Sequence, residues 1–390
     1  MKNTKENSVL SRVGVTRRHL IKASAAGVVG ATVGAPFINK QALGASNPIE
    51  ITVASGCCTQ TSAQGGSLKY WGDEMEKRTG GEVKVSQYSW SGSLIKWSNA
   101  AKSIASGIVD VGDFANNSVM AQMPLTVALE PVFKYEGYAQ GYFHTRSFNE
   151  FPELQAEFKK MNQVPLWWLN GANGVLHTSV TINSIDDLKG RKIRTSGPHA
   201  GQAMKNMGGL PVSIPATQVA QSMQKGIVDG AVFPGSTLIT LGMAEADKQV
   251  TNFRSGCYDM WNGATLNLDV YNKFSDNAKA TMAELAPIIP QRQRILESKE
   301  IHVGLDLARK NGVDIVQLSR DEAKRWNKLL NPESIYDVFL KKAEAAGHSN
   351  ARKYMEKVIA WQDEWEADNP FRNAFEMYAE NNPGVVRIIG

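Results

Sequence analysis

The chain has 390 residues, of which 42% are hydrophobic and 21% are charged, and its formal net charge is +5. This composition is typical of a globular protein and excludes a disordered polymer, a collagen-like repeat and a disulfide-stapled miniprotein. Removing the seven Lys/Arg and one Glu of residues 1–46 leaves 36 basic and 37 acidic residues, a net charge of −1. Nothing in the remainder indicates the clustered Lys/Arg that a phosphate-binding surface needs, so nucleic acid is not expected as a partner.

Residues 1–46 have the layout of an export signal. Arg17-Arg18 precede a mild apolar run from Ala23 to Val33, and small residues follow. This layout predicts a signal peptide cleaved within 42–46, and the paired arginines with a weak apolar run indicate the twin-arginine route. The run is short and glycine-rich for a membrane span, so uncleaved anchoring is the lesser alternative. We therefore expect a periplasmic mature protein.

After the leader, sequence patterns alternate between strand and helix. The order predicts parallel strands joined by right-handed crossovers. The predicted strands are 49–54, 82–88 and 108–114, and the predicted helices are 67–79 and 94–106.

Three cysteines accompany these elements. In an oxidising compartment, Cys57 or Cys58 can bridge to Cys257 and leave one thiol free, and the alternative is three unpaired buried thiols. No histidine is close in sequence and no haem motif occurs, so neither a metal site nor a cofactor is expected.

A short internal repeat links the two halves of the chain. Gly107-Ile108-Val109-Asp110 recurs as Gly226-Ile227-Val228-Asp229, each time between a predicted helix and a predicted strand. This context predicts two similar α/β lobes. Strands at 164–170 and 176–182 are candidates for the crossing between lobes, and a strand within 256–268 returns the chain to the first.

From Asn277 onward the pattern predicts only helices. The predicted segments are 278–288, 291–310, 320–330 and 333–365, with prolines between them.

The stretch Ile182–Arg194 contains Asp-Leu-Lys-Gly-Arg-Lys-Ile-Arg and resembles a signature of extracytoplasmic solute receptors. These receptors, the DctP-like family, serve tripartite ATP-independent periplasmic (TRAP) transporters. The resemblance continues through 207–212 and 216–230, and through 79–85, 91–94 and 107–110 in the first half.

The resemblance implies an α/β, two-lobed periplasmic binding protein fold (type II-like) with hinge-crossing strands and long C-terminal helices. Lobe 1 would comprise 47–171 and 260–299, and lobe 2 would comprise 172–259 and 300–390. It also implies a small organic acid as ligand and the membrane permease subunits of a TRAP transporter as partners. Some relatives dimerise through a long C-terminal helix, for which 333–365 is the candidate.

Arg194 is the residue to which the resemblance assigns the ligand. In the family, the arginine that closes this strand pairs with a substrate carboxylate, and a guanidinium offers a planar fork matched to that group. The alternative is a solvated strand-end residue. Phe233 stands where many members have a carboxylate-binding Asn, and Asn173-Gly174-Val175 holds no second cation. We therefore expect a monocarboxylate with an apolar or aromatic body, or a sulfonate.

Other pocket candidates follow predicted strands. Aromatic rings supply flat walls and Asn supplies adaptable hydrogen bonds, although a Trp can equally belong to the core. Besides Phe233 and Asn173, these candidates are Trp90, Asn116, Asn117 and Trp261.

The alternative function is a periplasmic oxidoreductase, because twin-arginine export often accompanies cofactor enzymes. No G-x-G-x-x-G after a strand, P-loop, H-E-x-x-H or G-x-S-x-G motif occurs. A binding protein that is not an enzyme is therefore the prediction.

Overall fold

The computed structural model describes residues 47–130, 132–133, 140–168, 173–254, 261–368 and 373–390. The predicted leader therefore lies outside the described residues. The strands are β1 Ile49–Ala54, β2 Val83–Ser89, β3 Val111–Ala115, β4 Gln163–Trp168, β5 Gly174–Thr178, β6 Lys192–Arg194, β7 Leu210–Val212, β8 Gly230–Pro234, β9 Gln249–Asn252, β10 Trp261–Asn267, β11 Asp314–Leu318 and β12 Arg387–Ile389.

Helices connect most of these strands. They are α1 Ala63–Arg78, α2 Ala100–Ala105, α3 Pro124–Ala128, α4 Gln140–Glu150, α5 Pro152–Lys160, α6 Pro198–Asn206, α7 Val219–Gln224, α8 Thr237–Thr240, α9 Met243–Ala246, α10 Leu268–Tyr271, α11 Asp276–Leu285, α12 Ile288–Lys310, α13 Arg320–Leu330, α14 Pro332–Ala345, α15 Ala351–Asp368 and α16 Ala374–Asn381. None of the described helices is both long and apolar enough to span a membrane.

Two mixed sheets organise the chain. Sheet 1 has the order β2-β1-β3-β10-β4, and sheet 2 has the order β12-β11-β9-β5-β8-β6-β7. In sheet 1, β1 is parallel to β2 and β3, as the strand–helix alternation predicts, and β10 runs antiparallel to β3 and β4. In sheet 2, β6 is parallel to β7 and β8, and β5 runs antiparallel to β8 and β9.

The Gly-Ile-Val-Asp repeat has the same structure in both sheets. Asp110 accepts a hydrogen bond from the backbone N–H of Thr52 at 2.7 Å, and Asp229 accepts one from Lys192 at 2.7 Å. In each copy the glycine takes a positive φ, 73° at Gly107 and 69° at Gly226, which ends the preceding helix. The predicted similarity of the two halves is therefore confirmed at this turn, and Arg194 takes the place in β6 that Ala54 takes in β1.

The C-terminal region differs from the prediction in two ways. The segment after Asn277 is not wholly helical, because β11 and β12 add two parallel strands to sheet 2. The predicted helix 333–365 is two helices, α14 and α15, because the chain turns between them at Gly347, whose φ is 103°. Only a residue without a side chain adopts that conformation without strain.

The C-terminal helices contact segments that precede and follow the crossing between the sheets. Helix α14 packs against α3 and α6, and α15 packs against α4. Tyr336 of α14 donates a hydrogen bond to the carbonyl of Val132 at 2.6 Å. One core cluster therefore includes residues from both sheets, among them Phe114 and Ile193.

Candidate functional site

The carboxyl ends of the strands bring the two sheets together. The chain leaves sheet 1 at Trp168, at the same edge as the end of β3, and enters β5 opposite Pro234, the end of β8. It returns from the end of β9 to the start of β10 at Trp261, again from one carboxyl edge to the other. The first connection can span only about 20 Å between its terminal Cα atoms. The two carboxyl edges are therefore neighbours, and ligands of open α/β sheets bind at such edges.

Arg194 lies at the carboxyl edge of sheet 2. It closes β6 and is only 8% exposed. Its Nε donates a hydrogen bond to the carbonyl of Ile214 at 3.3 Å, and its guanidinium carbon lies 4.3 Å from the centroid of the Phe233 ring. A cation over an aromatic face is attracted by the ring quadrupole. These contacts hold the guanidinium beside the ends of β6 and β8.

Phe233 and Asn173 belong to the same edge. Phe233 lies in β8, pairs across the ladder with Val175 and is 4% exposed. Asn173 immediately precedes Gly174, which pairs with Pro234, and is half-buried. Three of the predicted site residues, Arg194, Phe233 and Asn173, are thus brought to one edge.

Three further candidates lie on sheet 1. Trp90 follows β2 and is half-buried, and its ring stacks on Tyr88 with centroids 5.6 Å apart and an interplanar angle of 12°. It packs against the core cluster that contains Trp71, so core packing accounts for much of its position. The backbones of Asn117 and Trp261 lie at the carboxyl edge, next to the end of β3, but their side chains lie outside the described part of the chain.

Asn116 has an unusual environment at this edge. It follows β3 and is completely buried, yet neither its amide oxygen nor its amide nitrogen has a hydrogen-bond partner among the described residues. A buried amide without partners costs free energy unless another group satisfies it.

A polar ring at the end of β1 was not anticipated from the sequence. Asp113 is completely buried, and its Oδ2 accepts hydrogen bonds from Ser55 Oγ at 3.0 Å and Gln64 Nε2 at 2.5 Å. Cys58 Sγ donates to Gln64 Oε1 at 3.2 Å, and the Cys58 backbone N–H donates to Ser55 Oγ at 3.0 Å, which closes the ring. Burial raises the pKa of Asp113 to about 7. The sequence feature that could have indicated this ring is the acidic residue between Gly112 and Phe114 in an otherwise apolar strand.

The cysteines of this region are adjacent to the polar ring. The sulfur atoms of Cys57 and Cys58 are 2.7 Å apart, and both lie within 4.8 Å of a carboxylate oxygen of Asp113. Cys57 is exposed as a residue, but desolvation around its sulfur, with Cys58 and Asp113 alongside, raises the pKa of its thiol. Cys257 lies outside the described residues, so the predicted bridge to it stays a prediction.

The side chains of a histidine, an aspartate and a threonine form a hydrogen-bonded series beside Phe233. His177 Nδ1 is 2.6 Å from Asp247 Oδ2, and its Nε2 is 3.2 Å from Thr237 Oγ1. This order resembles a catalytic triad, but the side chains of His177 and Asp247 are inaccessible to solvent, and the Thr237 hydroxyl donates to the carbonyl of Pro234 at 2.7 Å. A hydroxyl that already donates its proton to a carbonyl is not activated by the imidazole. The trio is therefore a structural network.

Comparison with known proteins identifies sequence relatives and solved structures of similar fold. A solute-binding protein from Albidiferax ferrireducens is 26% identical over 259 residues, 65% of this chain and 75% of that protein. A marine metagenome TRAP solute-binding protein specific for aromatic acids, solved with 3-hydroxybenzoate, has a TM-score of 0.70 at 20% identity, covering 82% of this chain and 100% of that one. A Roseobacter denitrificans TRAP solute-binding protein with bound β-D-glucuronate has a TM-score of 0.66 at 18% identity, covering 79% and 98%.

Residues 54–342 match the family DctP, described as bacterial extracellular solute-binding protein, family 7. The match covers most of the chain, and the similar solved structures are periplasmic receptors with two lobes. Members of this family bind substrates and are not enzymes, so the oxidoreductase alternative is not favoured. The chain belongs to the DctP family of extracellular solute-binding proteins.

Proposed function

We propose that this chain is the receptor of a TRAP-type transporter, and that it binds an organic monocarboxylate with an apolar or aromatic body and delivers it to a membrane permease. Arg194 pairs with the carboxylate. The single observation that supports this role is the position of Arg194, a residue only 8% exposed at the carboxyl edge of sheet 2, with its guanidinium carbon 4.3 Å from the Phe233 ring centroid.

The choice of ligand class rests on Phe233. Receptors for an aromatic acid and for uronates share this fold, so the fold does not select between them. A sugar acid presents several hydroxyl groups that need hydrogen-bond partners, whereas a phenyl ring beside the arginine offers only apolar surface. An aromatic or apolar ligand body can pack at this edge without leaving polar groups unpaired. The half-buried Asn173 supplies an adaptable polar contact at the same edge.

Binding is coupled to closure of two lobes. We assign 47–171 with 260–299 to lobe 1, and 172–259 with 300–390 to lobe 2. A ligand held by Arg194 on lobe 2 gains contacts from sheet 1 only when the lobes close, so it shifts the population toward the closed form. Asn116, buried and with neither amide atom hydrogen-bonded to a described residue, is a candidate for such a contact. The contacts of α14 with α3 tie lobe 2 to lobe 1 on one side, which favours hinged movement there.

A ligand screen tests this function. The exported protein is melted with 3-hydroxybenzoate, benzoate, D-glucuronate, succinate and a benzenesulfonate, because a ligand that binds only the folded state raises the melting temperature. We expect the aromatic monocarboxylates to give the largest shifts, and chromatography to recover them unchanged after long incubation. Shifts only with succinate or glucuronate would contradict the ligand class, and no shift with any acid would contradict the receptor role.

A further inference from the structure

Cys57 and Cys58 occupy the carboxyl edge of sheet 1, in the loop between β1 and α1. The loop is held in place on several sides: the carbonyl of Cys58 accepts a hydrogen bond from Ser91 at 3.0 Å, and Cys58 itself belongs to the ring with Ser55, Gln64 and Asp113. Such a network fixes the backbone on which both sulfurs are carried, and it holds them 2.7 Å apart.

The distance between the two sulfur atoms distinguishes two roles for the cysteine pair, metal binding and disulfide formation. Metal–thiolate bonds are about 2.3 Å long, so two sulfurs 2.7 Å apart would subtend about 70° at one zinc ion, far below the tetrahedral angle. Two unbonded sulfur atoms at 2.7 Å are also well inside normal contact distance, whereas covalent bonding needs only a short further approach. The carboxylate of Asp113 lies near enough to serve as a third ligand, but the sulfur geometry favours a disulfide.

We propose that Cys57 and Cys58 form a vicinal disulfide in the exported protein. We further propose that this disulfide is part of the cleft wall, by which we mean the surface at the carboxyl edge of sheet 1 that faces the ligand. The oxidant is a protein disulfide of the thiol-oxidising machinery outside the cytoplasm. The thiolate of one cysteine of the pair attacks that disulfide and releases one thiol, and the other cysteine then attacks the mixed disulfide and releases the second. Two electrons and two protons pass to the oxidant, and one S–S bond joins the pair.

The modification changes the polar ring beside it. In the reduced form, the Cys58 thiol donates to Gln64 Oε1, and the same glutamine donates to Asp113. In the oxidised form there is no S–H, so Gln64 Oε1 is free to accept from another donor, such as a ligand hydroxyl or a water molecule. A change in Gln64 alters the affinity for a ligand only if the proposed function holds, whereas formation of the disulfide does not depend on that function.

Alkylation and mass analysis test the covalent part. Protein taken from the periplasm with iodoacetamide present should yield a peptide that contains both Cys57 and Cys58, unalkylated and lighter by two hydrogen atoms than its dithiol form. Reduction should make both alkylatable. Cys257→Ser should leave the modification intact, whereas Cys58→Ser should leave Cys57 alkylatable. Two alkylated thiols in the native protein, a peptide linked to Cys257, or a stoichiometric bound metal would overturn the proposal.

Calorimetry tests the consequence. We expect the affinity for the acid found in the screen to change about fivefold between oxidised and reduced protein, the size of one neutral hydrogen bond. The double variant Cys57→Ser, Cys58→Ser should be insensitive to reductant. Equal affinities for the two forms would overturn the role in the cleft wall. Failure of every acid to bind either form would instead contradict the receptor function, and would leave the mass result standing.

Discussion

Acid should destabilise this protein through its buried histidines, and His199 gives the clearest test. It is 3% exposed on α6, and its ring stacks on Phe339 with centroids 3.6 Å apart. Burial, with the nearby charge of Lys342, lowers its pKa from 6.5 to about 3. The folded state therefore resists protonation that the unfolded state accepts below pH 6.5. The contribution of His199 to stability is fully present above that pH and is lost as the pH falls toward 3.

The size of the effect follows from the two pKa values. Between pH 7 and pH 5 the unfolded histidine gains about 2 kcal/mol from proton binding, while the folded one gains almost nothing. His199→Leu removes this proton binding. Between pH 7 and pH 5 the unfolding free energy of the variant should therefore rise by about 2 kcal/mol relative to that of the wild type, whatever the substitution costs at pH 7. Burial raises the pKa values of Asp113 and Glu297 to about 7, so these two carboxyl groups stabilise the folded state as the pH falls. Their contributions are the same in the wild type and the variant and cancel in the difference.

Urea denaturation at pH 7 and pH 5 measures this difference, with unfolding free energies from linear extrapolation. Met204→Leu, a buried and non-titrating change on the same helix, is the matched control and should follow the wild type at both pH values. His144→Leu should behave like His199→Leu, because burial lowers the pKa of His144 to about 4. Parallel pH dependence in the wild type and His199→Leu would refute the reasoning.

Two further substitutions test the packing that positions the cleft. Glu157→Gln should lower the unfolding free energy by about 3 kcal/mol in urea, because its carboxylate accepts three hydrogen bonds of 2.8 Å from Leu125 and Thr126 at the start of α3; an unchanged midpoint would show that these bonds contribute nothing. Gly230→Ala should cost about 3 kcal/mol, because its Cβ would lie 2.3 Å from the carbonyl oxygen of His177 in the neighbouring strand. Wild-type melting of Gly230→Ala would contradict that strand pairing.

Local patterns predicted the fold where the signal lies within one segment. The strand 49–54 and the helix 320–330 have the predicted bounds, and the Gly-Ile-Val-Asp repeat marks equivalent turns because glycine and aspartate act there on the adjacent backbone. The strands β11 and β12 were missed because runs of three to five residues carry too little periodicity to separate strand from helix.

Site residues divide in the same way. The position of Arg194 at the end of β6 could be predicted because it closes a recognisable strand motif, whereas its role as the ligand anchor stays a proposal. The ring through Asp113 could not be predicted, because Ser55 and Asp113 are 58 positions apart and meet only when β1 and β3 pair. The adjacent cysteines were visible in the sequence, but the separation of their sulfurs was not.

Calorimetric titration of Arg194→Lys with the acid selected by the screen tests the central claim most directly. Lysine keeps the positive charge and loses the planar fork, so the affinity should fall at least about tenfold, the scale of one charge-assisted hydrogen bond. Arg191→Lys, three residues earlier with a side chain 41% exposed, is the matched control and should bind like the wild type. An Arg194→Lys protein that is folded and binds the acid with unchanged affinity would contradict the account.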